Sequence, residues 1–240
     1  MDGVAGGGGL LLVDKPRGWT SHDVVAALRR RFPKGTKVGH GGTLDPMATG
    51  LLILLVGRAT RSAQSLLGLP KVYAGRIRLG VETETGDLDG RVLREEALPP
   101  SLSADEVGRA FAEHLGEIEL PVPKYSAVKF KGRPFYSYAR KGQEVPERVR
   151  TSSIESFDLL SWEPPEAAFR LRCSSGTYVR AIAVSVGQRL GSCATLSELR
   201  REAAGPFRIE EARPAAELLG LDGAALEGLL IPAQSAEPAL

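Results

Sequence analysis

The apolar residues of this chain fall into two uninterrupted short runs and several alternating stretches. Residues 10–13 and 51–56 contain no polar side chain, which is typical of short strands buried on both faces. Residues 71–79 interleave apolar and charged positions, which predicts another strand. Residues 152–162 and 168–173 are also strand-like, and we expect them to pair with each other.

Apolar residues at helical spacing occur directly after residues that can cap a helix. Thr20 or Ser21 can begin a helix that runs to about Phe32. Ser103 precedes a predicted helix over residues 104–115, whose first turn is acidic as the helix dipole favours. The remaining predicted segments are helices over 59–67 and 177–190, a short turn or helix over 197–201, a strand over 205–209, and one or two short helices after 212.

Strands and helices mix without a regular βαβ alternation. This pattern predicts an α+β fold with a mixed, mostly antiparallel central sheet flanked by helices. We expect a flexible leader over residues 1–9, where four glycines follow one another, and one folded domain over 10–212. We place an insertion at about 121–150, which is rich in proline, aromatic and basic residues, and a short extension over 213–240.

The composition excludes several classes of protein. Two cysteines cannot form a disulfide framework or a structural zinc site by themselves, and three scattered histidines show no metal-ligand spacing. No apolar run has the length of a transmembrane helix, and the short run at residues 10–13 lacks the basic lead of a signal peptide. We therefore expect a cytoplasmic protein with no membrane partner.

The net charge of +2 conceals a strong segregation of charge. Residues 124–150 carry eight lysines and arginines against two glutamates, and residues 29–37 carry five basic residues and no acid. Residues 82–119 carry eleven acids and three arginines. Basic segments of this kind suit a phosphate backbone, although most charge runs are simply solvated faces.

One carboxylate stands in an unusual setting, the segment Gly39-His40-Gly41-Gly42-Thr43-Leu44-Asp45-Pro46. Asp45 lies in a glycine-rich loop, fixed by a proline, directly before the apolar run at 51–56. An acid is costly to desolvate in such a place and is therefore a functional candidate. The alternative is an aspartate that only caps a turn, because Asp-Pro pairs commonly begin turns.

Six blocks, in this order along the chain, resemble the TruB family of tRNA pseudouridine synthases. They are Leu11-Leu12-Val13-Asp14-Lys15-Pro16-x-Gly18-x-Thr20-Ser21; Gly39-His40-Gly41-Gly42-Thr43-Leu44-Asp45-Pro46-x-Ala48-x-Gly50; Lys71-x-Tyr73; Pro123-x-Tyr125-Ser126-Ala127-x-Lys129; Gly176-Thr177-Tyr178-Val179-Arg180; and Leu199-Arg200-Arg201 with Gly205-Pro206-Phe207. The resemblance covers roughly residues 10 to 210.

The resemblance implies isomerisation of uridine to pseudouridine in the T-loop of tRNA, at tRNA position 55, without metal or cofactor. In that reaction the N1–C1′ glycosidic bond breaks, the uracil rotates, and C5 bonds to C1′. Asp45 would be the nucleophile, attacking either the uracil ring or C1′. Arg180 would pair with Asp45 and keep it ionised, and Tyr73 would stack on the flipped base. Without the motifs, Arg180 would be a surface ion pair or phosphate contact, and Tyr73 a cross-strand aromatic.

The same resemblance implies contacts with the RNA substrate. His40 would touch the disrupted RNA loop, because a base within a folded loop must be flipped out to react. Lys15 would touch phosphate or brace the active-site loop, and Lys129 belongs to the RNA-gripping insertion, whose aromatics would stack on bases. Tyr178 and Leu199 would line the pocket; each would otherwise be assigned to the core, and His40 and Lys15 to the solvated surface.

The chain departs from the family pattern in two places. Ser192-Cys193-Ala194-Thr195 stands where many members have a histidine, so no role of that histidine carries over. About thirty residues follow the Gly205-Pro206-Phe207 block, which is too few for the RNA-binding PUA module of many bacterial members. We expect a monomer whose partner is the T-arm of tRNA.

Two other functions stay open at this point. One is a tRNA-binding folding chaperone of the same fold with little catalysis, which the Asp45, Tyr73 and Arg180 set argues against, because a pure binder needs no nucleophile. The other is a metal-dependent hydrolase using Asp45, which lacks a second nearby carboxylate and histidine ligands.

Overall fold

The computed structural model of the chain describes residues 8–232. Within that range the strands are β1 (Gly8–Lys15), β2 (Val38–His40), β3 (Thr49–Gly57), β4 (Lys71–Leu79), β5 (Val81–Thr83), β6 (Val92–Glu95), β7 (Gly116–Pro121), β8 (Lys129–Phe130), β9 (Arg133–Pro134), β10 (Val149–Glu163), β11 (Glu166–Cys173), β12 (Ala194–Ala204), β13 (Phe207–Arg208) and β14 (Arg213–Pro214). The α-helices are α1 (Ser21–Arg29), α2 (Ala63–Gly68), α3 (Ala104–Ala112), α4 (Phe135–Ala139), α5 (Val179–Arg189), α6 (Ala215–Leu219) and α7 (Gly223–Gly228), with 3-10 helices at Arg58–Ser62 and Ile209–Glu211. None of the helices in the described range is long and apolar enough to span a bilayer.

The described residues form two compact units. The first contains residues 8–73 and 199–232, and the second contains Ala74–Glu198. Strands β4 and β12 each pass from one unit into the other along the chain.

The first unit is built on the pairing of β1 with β3. These strands run antiparallel in continuous register from Gly8 opposite Gly57 to Lys15 opposite Gly50. Strand β14 pairs in parallel with β1, and β12 in parallel with β3, giving the order β14-β1-β3-β12. Strand β2 also pairs with β3, and β13 with β12, both antiparallel. The sheet is therefore mixed and mostly antiparallel, as the sequence predicted.

The core of the first unit lies against this sheet. Alternate side chains of β1 and β3 point into one cluster and meet the 3-10 helix, α2 and the β12–β13 hairpin. The cluster contains Leu10, Leu12, Leu51, Ile53, Leu55, Ala59, Leu66, Ala204 and Phe207. Residues of β1 and β3 that point to the other face are buried as well, which explains why both runs lack polar residues.

Helix α1 begins as its sequence predicts. Thr20 is the N-cap and forms a capping box with Asp23, in which each side chain accepts from the other residue's backbone N–H. The helix ends at Arg29 rather than near Phe32. After Arg29 the chain continues in tighter turns, because the Arg31 N–H donates to the Leu28 carbonyl at 2.9 Å and the Phe32 N–H donates to the Arg29 carbonyl at 3.3 Å. Pro33 then disfavours helical geometry in Phe32.

The second unit has the strand order β4-β11-β10-β7. The long strand β10 pairs antiparallel with both β11 and β7, and two register shifts against β11 bend it. Helix α3 packs on β10 through Phe111, whose ring stacks on Phe157 with centroids 4.0 Å apart. His114 ties α3 to α5, because its Nδ1 bonds the Ala110 carbonyl oxygen at 2.7 Å and its Nε2 bonds the Ser185 hydroxyl at 2.9 Å.

The predicted insertion contains the β8–β9 hairpin and α4. Lysine and arginine side chains lie over three of its rings: Lys131 over Phe130, Arg140 over Tyr136 and Arg148 over Phe135. Phe135 is only 1% exposed and packs in the interior, so it is not available to stack on RNA as the sequence suggested.

Three sequence predictions need correction. Residues 197–201, expected to be a turn or helix, belong to strand β12. The helix expected over 59–67 is divided into a 3-10 helix and α2. The leader was expected to reach residue 9, but Gly8 and Gly9 already pair with β3; residues 1–7 lie outside the described range. A Cβ on Gly8 would lie 2.0 Å from the Val56 carbonyl oxygen, so glycine is what permits the pairing there.

Candidate active site

Asp45 lies in the connection between β2 and β3, which we call the Asp45 loop (residues 41–48). Its carbonyl accepts from the Ala48 N–H at 3.1 Å, which closes a turn around Pro46, and the residue is half-buried. On one side the loop is held by the β1–α1 connection. The Leu44 N–H donates to the Ser21 hydroxyl at 2.8 Å, and the Gly18 N–H donates to the Pro46 carbonyl at 2.8 Å.

Arg201 of β12 holds the loop from its other side. Its Nε donates to the Leu51 carbonyl at 2.7 Å, and its two terminal nitrogens donate to the carbonyls of Gly42 at 3.1 Å and Thr43 at 3.3 Å. The residue is 3% exposed. A Cβ on Gly50 would lie 2.4 Å from the Arg201 carbonyl oxygen, so that glycine allows β3 and β12 to approach closely. One buried guanidinium thus joins both ends of the segment that carries Asp45.

Lys15 is a second buried cation beside the loop. It is fully buried, and its Nζ donates to the carbonyls of Trp19 at 2.6 Å, Pro16 at 2.9 Å and Pro46 at 3.4 Å. Burial lowers the pKa of its ammonium to about 8, against the field of the Asp45 carboxylate, which raises it. The positive charge of Arg201 lowers the same pKa further. Among the alternatives given by the sequence, this geometry fits a brace for the loop and is incompatible with a solvated surface lysine.

His40 ends β2 and is half-buried. Burial lowers its pKa, and the positive charge of Arg201 lowers it further. The Gly42 N–H donates to its Nδ1 at 3.4 Å. A lowered pKa favours the neutral imidazole, which suits a ring that contacts a base better than one that binds a phosphate.

Tyr73 and Leu199 also belong to the first unit, and each is 8% exposed. Tyr73 is the third residue of β4, which starts at Lys71. The buried Lys71 ammonium donates to the carbonyls of Leu67 at 2.7 Å and Leu69 at 2.5 Å, which fixes the start of that strand on the end of α2. The Leu199 carbonyl accepts from the Thr49 hydroxyl at 3.5 Å.

Arg180 lies in the second unit, in the first turn of α5, and is 4% exposed. Its terminal nitrogens donate to the carbonyls of Thr85 at 2.6 Å and Tyr125 at 2.8 Å. Its Nε lies 3.6 Å from Oδ2 of Asp87, which is also buried. A surface ion pair is therefore excluded for Arg180, because the side chain is held inside the unit.

The other two predicted residues of the second unit differ in exposure. Tyr178 is the N-cap of α5 and is half-buried, and its side chain makes no capping hydrogen bond. Lys129 is exposed on β8, as a residue that contacts RNA must be. Its carbonyl accepts from the Arg148 guanidinium at 3.4 Å.

Sequence reasoning missed Arg201 and Asp87 as site residues. Arg201 stands in a quoted block, but nothing local marks a strand arginine as buried. Asp87 belongs to a polar, glycine-bearing stretch that we expected to be a loop. The Thr85 hydroxyl donates to Asp87 Oδ1 at 2.5 Å and the Asp89 N–H donates to it at 3.2 Å, an arrangement that Thr-x-Asp spacing can signal.

Metal-ligating residues are not clustered in the part of the chain that the structure describes. Between residues 8 and 232, no three histidine, cysteine, aspartate or glutamate side chains are grouped so that they could hold a metal ion.

Comparison with known proteins decides the family. Residues 29–179 match the model of the TruB family pseudouridylate synthase N-terminal domain. The chain belongs to the TruB family of pseudouridylate synthases. This TruB-family chain is 47% identical over 232 residues to tRNA pseudouridine synthase B of Opitutus terrae, covering 97% of this chain and 95% of the relative. It is 45% identical over 224 residues to the enzyme of the same name from Aromatoleum aromaticum, covering 93% of this chain and 72% of that relative.

Solved structures show the same fold. A chain of a Cbf5-Nop10-Gar1 complex superposes with a TM-score of 0.72 at 29% identity, over 95% of this TruB-family chain and 61% of the other. A chain of an H/ACA RNP bound to a substrate RNA containing 2′-deoxyuridine superposes with a TM-score of 0.69 at 27% identity, over 95% of this chain and 60% of the other. This chain therefore spans about three fifths of the length of those two.

Proposed function

We propose that this chain isomerises uridine to pseudouridine in tRNA, at position 55 of the T-arm, with Asp45 as the nucleophile. The observation that carries the proposal is the construction of the Asp45 loop. Buried donors from Lys15 and Arg201 fix its backbone, while the carboxylate-bearing residue stays half-buried. A preorganised loop of this kind is what nucleophilic catalysis by a single side chain requires.

The reaction needs no atoms beyond those of the substrate. The carboxylate of Asp45 bonds to the uracil ring or to C1′, and the N1–C1′ bond breaks. C5 of the rotated base then bonds to C1′, and the bond between Asp45 and the substrate breaks, which regenerates the free carboxylate. The proton of C5 is lost, and N1 gains one. The sequence needs no redox partner, since substrate and product are isomers at the same oxidation level.

We assign the remaining roles from the resemblance and from each residue's own surroundings. Arg180 is the guanidinium that keeps the nucleophile ionised, and the burial of its side chain suits a group that must hold one orientation. Tyr73 stacks on the flipped base, and the resemblance makes Tyr178 and Leu199 pocket-lining residues. Neutral His40 contacts the opened RNA loop, and exposed Lys129 binds phosphate. The enzyme acts as a monomer in the cytoplasm, where its tRNA substrate is found.

The variant Asp45→Asn tests this proposal, because it keeps the size of the side chain and removes its charge. We expect no pseudouridine when the variant is incubated with an unmodified tRNA transcript in buffer without metal, with the product mapped by chemical derivatisation. Asp158→Asn is the matched control, since Asp158 is exposed on β10, and it should convert the transcript as the native protein does. Conversion by Asp45→Asn would contradict the assignment.

A second measurement separates catalysis from RNA folding. The Asp45→Asn variant should still bind tRNA, because binding depends on the basic and aromatic surfaces rather than on the nucleophile. If the native protein binds and remodels tRNA without forming pseudouridine, the chaperone function replaces the proposed one.

A further inference from the structure

A basic groove lies at the C-terminal end of α1, in the first unit. We call it the α1–β2 groove; it has a volume of about 960 Å³. Its charged and hydroxyl-bearing lining residues are Arg29, Arg30, Lys34, Lys37, Thr36 and Thr60. The volume is at the upper end of the range for ligand sites, so an extended polar ligand can enter.

The charge of the α1–β2 groove has one sign. Four of its lining residues are exposed lysines or arginines, and no aspartate or glutamate lines it. Within residues 8–232, none of these four cations forms an ion pair with a carboxylate. Exposed cations without nearby acids repel one another, which is unfavourable unless an anionic partner is bound.

The walls of the groove are fixed by backbone hydrogen bonds. The Thr36 N–H donates to the Pro33 carbonyl at 3.1 Å, and the Gly57 N–H donates to the Lys37 carbonyl at 2.8 Å. Phe32 is 5% exposed and anchors the floor of the groove in the core. The cations are thus displayed from an ordered turn, so that less ordering is needed when a ligand binds.

Strand β2 connects the groove to the candidate active site. Lys37 immediately precedes β2, and His40 ends it. Three residues of extended strand span about 10 Å. A nucleic acid strand whose bases reach His40 therefore has phosphates within reach of the groove.

From this placement we propose that the α1–β2 groove binds the phosphate backbone of the substrate RNA beside the reacting nucleotide. The proposal rests on the function proposed above and adds a second basic surface to the insertion at 121–150. The contact is with phosphates and carries no sequence information, so it adds affinity and register rather than base specificity.

The test compares two double variants that remove the same charge. Arg29→Gln/Lys34→Gln removes two of the four positive charges of the groove, and Arg109→Gln/Arg172→Gln removes two exposed arginines of the second unit. Arg109 occupies the last turn of α3 as Arg29 occupies that of α1, so the control includes the loss of a helix-terminal charge. Dissociation constants of an unmodified tRNA transcript are measured from 50 to 300 mM salt, with melting temperatures and pseudouridine formation by the native protein measured alongside.

We expect the groove variant to bind tRNA about tenfold more weakly at 0.1 M salt and to flatten the log–log salt slope by about 1.5, because each lost phosphate contact removes roughly 0.7–0.9 from that slope. The control should keep the native slope. Equal slopes for the groove variant and the native protein would overturn the proposal, and would leave an acidic protein as the partner to test. Pseudouridine formation by the native protein decides the proposed function separately, since it does not depend on either slope.

Discussion

Replacing Arg201 with methionine removes the donors that hold the Asp45 loop while keeping an unbranched apolar stem. Three carbonyls lose their partner, and those of Leu51 and Gly42 belong to buried residues. Leaving a buried acceptor without a donor costs about 1–2 kcal/mol. The Thr43 carbonyl belongs to an exposed residue and can bond to water instead. We therefore expect Arg201→Met to lose about 3 kcal/mol of unfolding free energy, which lowers the melting temperature by about 6–12 °C for a chain of this size.

Arg200→Met is the control on the same strand. Arg200 pairs with Asp14 at 2.7 Å, but its side chain is 43% exposed. Exposed ion pairs contribute about 1 kcal/mol or less, so this substitution should change stability little. Urea unfolding of both variants measures the difference. Equal losses for Arg200→Met and Arg201→Met would refute the argument that burial makes Arg201 the anchor.

Two further readouts separate loop positioning from general stability. The positive charge of Arg201 lowers the pKa of His40, so Arg201→Met should raise that pKa toward its ordinary value, as measured by NMR titration. Arg201→Lys keeps the charge and should leave the pKa of His40 low. With the loop displaced by about 1 Å, kcat for tRNA should fall by about 100-fold at temperatures where the variant is folded.

Two other substitutions test the buried charges of Lys15 and Asp87. The pKa of Lys15 falls from 10.5 to about 8 in the fold, so the unfolded chain binds more protons between those pH values and stability should rise across that window by roughly 3 kcal/mol. Lys15→Met should lose this rise. Urea unfolding of the native protein and the variant at pH 7.5 and pH 10 measures it. If the difference in unfolding free energy between the two proteins is the same at both pH values, the assignment of Lys15 as a buried cation is contradicted. Asp87→Asn should destabilise the protein by about 3 kcal/mol, because it removes the charge of a buried carboxylate that lies 3.6 Å from the buried Arg180 guanidinium. Its thermal melting is compared with that of Asp158→Asn, and no difference between the two would count against a buried ion pair.

Elements whose determinants are local could be predicted from the sequence. Helix α1 begins where Thr20 and Asp23 cap each other, because both partners lie within one turn of chain. Strand β4 occupies residues 71–79 as its alternation predicted, and the apolar run at 51–56 is the centre of β3. The α+β class and the family motifs followed from the same kind of evidence, since each motif is a short contiguous block.

Strand β12 shows what local sequence could not decide. Residues 197–201 include leucine, glutamate and arginines, which favour helix in isolation. They form a strand because β3 pairs with Arg200 and Arg201 in parallel, across about 150 residues of chain. A strand that pairs from so far along the chain leaves no trace in the sequence of residues 197–201 themselves. Its pairing energy outweighs the helix propensity of these residues, which is a few tenths of a kcal/mol each.

The sequence by itself made Asp45 a candidate functional carboxylate. Its local setting left a turn-capping aspartate open, and the resemblance of the whole block to the TruB motif favoured the nucleophile. Only the tertiary structure chose the bracing role for Lys15 over a phosphate contact, and only it assigned Arg201 to the support of the same loop. A lysine or arginine is solvated unless acceptors from distant segments surround it, and the carbonyls that surround these two cations come from segments up to 159 residues away along the chain.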